Sequence, residues 1–145
     1  MMNAVSQTAT HISCASGTAT TLAGLLLKKH SHQQVVAIPV LKGMHDFNER
    51  LLYLTGQTFG RKDLFIADAY HFGGYAKKTP ALLAFMNQLY REFGIPTDFV
   101  YTGKMMYAVM DLIEKDFFPS GSNIVCLHTG GLQGNASLHT GTLTF

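Results

Sequence analysis

Apolar positions in this chain fall into short unbroken runs, separated by segments in which they recur at helical spacing. His11–Ala15 (HISCA) and Gln33–Leu41 (QQVVAIPVL) show little alternation, the signature of strands covered on both faces. Asp63–Ala69 (DLFIADA) and Asn123–His128 (NIVCLH) read as two more strands, and Asp98–Thr102 (DFVYT) as a short strand or extended segment. A helix runs from about Thr20 to near His30. A second covers His45–Leu54, with Phe47, Leu51 and Leu54 on one side and Thr55-Gly56 as its stop. Pro80 opens a third behind Thr79 as N-cap and continues it to Phe93, where Gly94 ends it. The spacing predicts a fourth over Lys104–Asp116, with Met106, Val109, Met110 and Ile113 inward. Residues 1–8 read as a leader, and the tail NASLHTGTLTF as a candidate edge strand.

Strands alternate with helices from end to end. The expected fold class is therefore α/β: one unit over residues 1–145, with a mostly parallel sheet and helices on both faces. Right-handed crossovers gather ligands at the carboxyl ends of parallel strands. Four polar, mostly glycine-bearing segments stand there: Ser16–Thr21, Tyr70–Tyr75, Tyr101-Thr102 and Thr129-Gly130-Gly131.

Composition narrows the class of protein. Of 145 residues, 47% are hydrophobic and 14% charged, which argues for a well-buried domain and against disorder. So thin a polar surface points to a partner or a missing piece of the same protein. The net charge is +2 with no basic cluster longer than a lysine pair, which gives nucleic acid and membrane surfaces little support. No apolar run is as long as a membrane span, and MMNAVSQTAT lacks the basic-then-apolar order of a signal peptide. Cys14 and Cys126 read as buried free thiols of a cytoplasmic protein. No Cys/His/Asp set has zinc spacing, so no metal is expected.

The chemistry starts at the first strand's end. Ser16-Gly17-Thr18-Ala19-Thr20-Thr21 joins a strand to a helix, a geometry that aims backbone N–H groups, hydroxyls and a helix dipole at one anion, and a phosphate fits it. The competing reading is an ordinary turn capped by Thr20 or Thr21. The loop matches neither GxGxxG nor GxxxxGK[ST]. Tyr75 follows a glycine pair and reads from position alone as a packing residue. Tyr101-Thr102-Gly103-Lys104 sets a phenol, a hydroxyl and an amine at a strand-to-helix junction, groups that do acid–base work when burial shifts their pKa. Alternatively Thr102 is only a helix cap and Lys104 is solvated. Thr129-Gly130-Gly131 lets backbone approach a flat ligand closely, or makes a tight turn.

Four segments, in this order and spread over most of the chain, resemble a known family: CASGTATTLAGL (Cys14–Leu25), HFGGYAKKTPAL (His71–Leu82), DFVYTGKMMYAVMDLI (Asp98–Ile113) and HTGGLQGN (His128–Asn135). The chain is similar to the C-terminal half of pyridoxal-phosphate enzymes of the tryptophan-synthase-β fold. More narrowly, it resembles the 1-aminocyclopropane-1-carboxylate deaminases and D-cysteine desulfhydrases. The resemblance implies that Gly17, Thr18, Ala19, Thr20 and Thr21 hold the phosphate of pyridoxal 5'-phosphate. It implies that Tyr75 and Tyr101 are the active-site phenols, that Thr102 lies at the cofactor, and that Thr129 meets the pyridine nitrogen beside Gly130. The family often has Gly where this chain has Ala19 and Thr20, and a Cβ at either position would crowd the phosphate. The deaminases carry Glu after the second tyrosine, where Thr102 stands here, and tend to lack the threonine present as Thr129. Both departures favour the D-cysteine desulfhydrase side. The implied products are ammonia and an α-keto acid, with sulfide as well from D-cysteine.

The family's cofactor-binding lysine and its carboxylate-binding segment belong to an N-terminal half with no counterpart in this sequence. None of Lys28, Lys29, Lys42, Lys62, Lys77, Lys78, Lys104 and Lys115 has that lysine's context. The expectation is a fragment of a two-domain enzyme, inactive alone. Its partners would be a small amino-acid substrate and either a second copy of the chain or the missing half. Two rivals remain: a non-catalytic phosphate-binding or interaction module, and, setting the resemblance aside, a doubly wound nucleotide-binding domain.

Overall fold

A computed structural model describes residues 7–145. The leader reading falls mostly on residues 1–6, outside the described residues. In order, the elements are β1 (His11–Ser16), α1 (Thr20–Lys28), β2 (Gln34–Pro39), α2 (Phe47–Thr55), β3 (Leu64–Ile66), a 3₁₀ turn (Asp68–Tyr70), α3 (Pro80–Phe93), α4 (Thr102–Glu114), β4 (Ile124–Cys126) and a 3₁₀ segment (Leu132–Ser137). The strands form one four-stranded sheet in the order β3-β2-β1-β4, with every pairing parallel. The fold class expected from strand–helix alternation is the one observed.

The near-continuous apolar character of β1 and β2 follows from coverage on both sides. Ile12, Cys14, Val35 and Ala37 turn to one face, where they pack with Leu22, Leu25, Leu26, Phe47 and Leu51 of α1 and α2. Val36 and Ile38 turn to the other, against Met105, Ala108, Val109 and Leu112 of α4. Outside α4 lies α3, whose Leu82 and Met86 share a third cluster with Phe99 and Val100. The period-2 alternation of a strand has thus been read out as two apolar layers rather than one apolar and one wet face.

Several expectations are corrected. The edge strands are shorter than their apolar runs: β3 ends at Ile66 and β4 at Cys126, with one further ladder bond each, from Ala67 N to Ala37 O and from Leu127 N to Ser13 O. Asp98–Thr102 is not a strand but a turn closed by its own aspartate. The tail forms no strand either. It folds back on α3, with Thr144 N donating to Asn87 Oδ1 and the Phe145 ring tilted against Tyr90 at 4.7 Å between centroids. The inner face of α4 is rotated from the expected one: Met105, Val109 and Leu112 are buried, whereas Met110 and Ile113 are among the exposed apolar residues. The helix begins at Thr102, two residues early, because its first turn is itself buried. Cys14 is fully buried and Cys126 only partly, being on an edge strand; both are free thiols. Burial pushes Cys14 up to about 12 and Cys126 to about 11, so neither is a thiolate at neutral pH.

Thr79 and Pro80 do what their positions predict. The Thr79 side chain accepts from Leu82 N, Pro80 opens α3, and Gly94 ends the helix in the left-handed region.

Candidate functional site

At the carboxyl end of β1 the chain turns through Ser16–Ala19 into α1. Neither Thr20 nor Thr21 caps the helix. Ala19 holds the N-cap position with φ +69°, and no side chain caps α1. The first N–H groups of a helix have no acceptor within it, so this terminus presents donors together with the positive end of the dipole. Thr18 Oγ1 lies 3.2 Å from Thr20 Oγ1 at the same mouth. Ala19 is a member of the apolar core beneath α1, 2% exposed, so its methyl is buried among core side chains. It occupies the left-handed region at which glycine is the unstrained choice.

The second wall is built on Asp98, which is fully buried. Its Oδ1 accepts from Val100 N at 2.9 Å and Tyr101 N at 2.7 Å. Its Oδ2 accepts from Thr102 N at 3.0 Å and from the Thr102 hydroxyl at 2.6 Å. Asp98 N in turn donates to Thr102 Oγ1 at 2.9 Å. Four donors on one carboxylate lock the turn that delivers Tyr101, and they put a negative group at the N-terminus of α4, where the dipole favours it. The close fit demands glycine next in line: a Cβ on Gly103 would lie 2.7 Å from Asp98 O and 3.0 Å from Met86 Sδ.

Tyr101 projects from this turn toward the β1 loop. A Cβ placed on Gly17 would be 3.5 Å from its Cε1 and 3.8 Å from its hydroxyl. Tyr75 meets it from the other side, the two rings edge to face at 6.2 Å. Burial, and then the neighbouring Tyr75 phenol, raise the Tyr101 pKa above the ordinary tyrosine value. Tyr101 is therefore a neutral phenol at physiological pH, a proton donor rather than a phenolate. Lys104, one turn into α4, was a candidate for solvent; instead it is fully buried. Its Nζ donates to His71 O at 2.9 Å and Gly74 O at 2.7 Å. Burial pushes the Lys104 pKa down to about 8 against the opposing pull of Asp98.

The third wall follows β4. Gly130 and Gly131 have φ of +84° and +94°, and a Cβ on Gly131 would press on the Asp98 carboxylate at 3.1 Å. The three walls enclose a cavity of about 280 Å³ lined by Ala15, Gly17, Thr18, Thr21, Tyr101, Thr129, Gly130, Gly131 and Gln133. A wider groove of about 390 Å³ opens on the far side of Thr18, toward Asp46, Glu49, Arg50 and Tyr53. Its arginine is already paired with Asp46 at 2.7 Å, so the convergent polar groups belong to the smaller cavity.

Among the residues singled out from sequence, Gly17, Thr18, Thr21, Tyr101, Thr129 and Gly130 share this cavity, with Tyr75 against Tyr101. Ala19 and Thr20 belong to the loop but do not line the cavity. Thr102 does not line it either, because its backbone and hydroxyl are both engaged by Asp98. Sequence reasoning missed Asp98, Gln133 and the burial of Lys104. The one available signal for Asp98 was an Asp four residues ahead of a threonine at a helix start, a spacing that allows side chain and backbone to bond reciprocally. No lysine lines the cavity. Among the described residues no group of three or more His, Cys, Asp or Glu side chains is placed to hold a metal ion. No helix among them is long and apolar enough to cross a membrane.

The fold has a counterpart among solved structures. A crystal structure described as an ACC deaminase homologue superposes with a TM-score of 0.72 at 29% identity, over 92% of this chain and 43% of that one. The fold is that of the tryptophan-synthase-β-like α/β enzymes. A Pyrococcus furiosus protein provisionally named 1-aminocyclopropane-1-carboxylate deaminase is 33% identical over 129 residues, 83% of this chain and 39% of its own length. The D-cysteine desulfhydrase of Yersinia enterocolitica is 29% identical over 135 residues, 86% of this chain and 41% of its own. No protein-family model matches the chain. The chain belongs to the 1-aminocyclopropane-1-carboxylate deaminase and D-cysteine desulfhydrase family, and it spans about two fifths of the length of the curated relatives it matches.

Proposed function

We propose that the chain is the C-terminal, cofactor-phosphate-binding part of a pyridoxal-phosphate-dependent lyase or deaminase acting on a small amino acid. The observation that carries this reading is the convergence of the β1–α1 loop, Tyr101 with Tyr75, and Thr129–Gly131 on one cavity. The residues fit the group. An uncapped helix terminus with threonine hydroxyls suits a phosphate. The glycine pair at Gly130-Gly131 leaves room for a flat ring, and Ala19, buried in the core, does not obstruct the loop.

When bound, the cofactor supplies an electron sink for negative charge at the substrate carbon. The chain's own residues do the rest. Gly17, Thr18 and Thr21 would hold the phosphate, with Ala19 and Thr20 shaping the turn. Thr129, which lines the cavity, would offer the pyridine nitrogen a neutral hydroxyl, which does not keep that nitrogen protonated as a carboxylate would. Tyr101 enters with its proton in place, because burial opposes its ionisation. It donates to substrate, with the Tyr75 phenol beside it. Thr102 in place of the deaminases' Glu, together with Thr129, favours D-cysteine over the cyclopropane as substrate. The products would be pyruvate, ammonia and sulfide. A cytoplasmic setting agrees with the two free thiols.

The cavity lining contains no lysine, so the residue that binds the cofactor covalently would come from the remaining three fifths of the family's length, in the same polypeptide or a separate one. This also supports a second reading, a phosphate-binding module without turnover. Titrating pyridoxal phosphate against the purified chain, followed by ³¹P NMR, is expected to show weak binding that Thr18→Val with Thr21→Val abolishes. Borohydride reduction and peptide mapping should find no single lysine adduct, and assays for pyruvate, 2-oxobutyrate, ammonia and sulfide should stay at blank. Absence of binding refutes the proposal. One defined adduct with robust product release refutes the need for a lysine from outside.

A further inference from the structure

The segment that presents Tyr75 is held in an unfavourable backbone. Phe72 and Ala76 have φ of +52° and +53°, and Gly73 and Gly74 between them have +95° and +120°. Two side-chain-bearing residues in the left-handed region within five positions are retained only where surrounding contacts over-determine them. The loop's own bonds are few: Gly74 N and Lys77 N close turns on His71 O and Gly74 O, and Gly73 N meets His71 Nδ1. Tyr75 itself is 56% exposed, so packing does not fix it.

From outside the loop, Phe72 packs edge to face on Tyr107 of α4 at 4.9 Å, and the polar anchor is Lys104. Its ammonium is buried with no hydrogen bond to a carboxylate and bonds the carbonyls of His71 and Gly74, the latter immediately before Tyr75. Burying a charge is costly unless hydrogen bonds compensate, so a fully buried lysine on two loop carbonyls indicates a demand for that bond. Lys104 stands three residues after Tyr101, one helical turn away, on a helix start fixed by Asp98. The same turn of α4 thus carries one phenol and clamps the loop that carries the other.

We infer that Lys104 is a positioning residue: its ammonium clamps the His71–Gly74 loop to α4 and thereby sets the Tyr75 phenol against Tyr101. The geometry stands on this chain's own residues. Its functional meaning rests on the proposed role of the two phenols, and the test is chosen so that the two fail separately. Among the described residues, Tyr75–Tyr101 is the tyrosine pair whose rings touch. In a deuterated chain carrying protonated tyrosine, a ring-to-ring nuclear Overhauser effect between two tyrosines therefore reports this contact, and Tyr75→Phe or Tyr101→Phe in the same labelling assigns it by removing it.

The wild-type chain should show the effect, and Lys104→Met, which keeps the aliphatic stem and removes the donors, should lose it while the amide spectrum elsewhere stays folded. If Lys104→Met does not fold, Lys104→Gln serves: it keeps an amide donor but is one bond too short to span both carbonyls, and should weaken the effect at least severalfold. A merely structural lysine would lower the melting temperature and leave the tyrosine contact intact, and that outcome, or no contact in the wild type, overturns the inference. Failure of the chain to bind pyridoxal phosphate would refute the proposed function and leave this measurement unaffected.

Discussion

Replacing Asp98 tests whether this turn is held by one side chain. Asp98→Ala removes the acceptor of three backbone N–H groups and one hydroxyl, all directed inward. Each buried donor left unpaired costs about 1–3 kcal/mol. The Thr102 hydroxyl can rotate to another acceptor, and relief of the carboxylate's own burial offsets part of the loss, so the net expectation is about 4 kcal/mol. A single domain has only about 5–15 kcal/mol in total, so the variant should be near the edge of folding. Asp98→Asn is the informative partner. Its remaining oxygen still serves Val100 and Tyr101, but its NH₂ faces the Thr102 N–H, which then lacks an acceptor while the hydroxyl can turn to accept, and the expected cost is about 2 kcal/mol. For comparison, an exposed pair such as Asp46–Arg50 contributes below about 1 kcal/mol. The assay is urea unfolding followed by far-ultraviolet circular dichroism and by tyrosine fluorescence, which is unobscured because the chain has no tryptophan. A loss under about 1 kcal/mol for Asp98→Ala would mean that the helix start is held by packing and that the hydrogen-bond reasoning is wrong.

Two further outcomes follow from the geometry. Gly→Ala inside a helix ordinarily stabilises by about 1 kcal/mol, but Gly103→Ala should destabilise, because its Cβ would lie 2.7 Å from a backbone oxygen that cannot move without breaking the Asp98 turn; a raised melting temperature would contradict this. The Lys29 bond, at 2.8 Å, holds the Asp63 carboxyl below its ordinary range, so its contribution is present above the unfolded-state pKa and is lost as pH falls through the folded value. Acid titration of stability should therefore be shallower in Lys29→Met than in the wild type below about pH 4, and identical slopes would count against the pair.

How much of this was legible beforehand differs by element. The Thr79-Pro80 start and Gly94 stop of α3 were readable to the residue, because capping and φ restriction act within one turn of chain. The parallel class was readable because two-sided burial erases the alternation of β1 and β2. The convergence of the loops after β1 and β4 followed, since topology alone sends loops after parallel strands to one edge. What the sequence left open depended on contacts distant in the chain. The face of α4 was misjudged by about one position because Met110 and Ile113 look as apolar as Met105 and Leu112, and only the placement of α3 and the sheet decides which are covered. The core position of the Ala19 methyl was not legible in the loop, because only the packing of α1 puts it there. Lys104 looked like a solvated surface cation; its burial depends on carbonyls some thirty residues earlier, His71 and Gly74, which no local pattern brings near. Local chemistry is written in short spacings, whereas desolvation and long-range hydrogen bonds exist only once the chain has closed on itself.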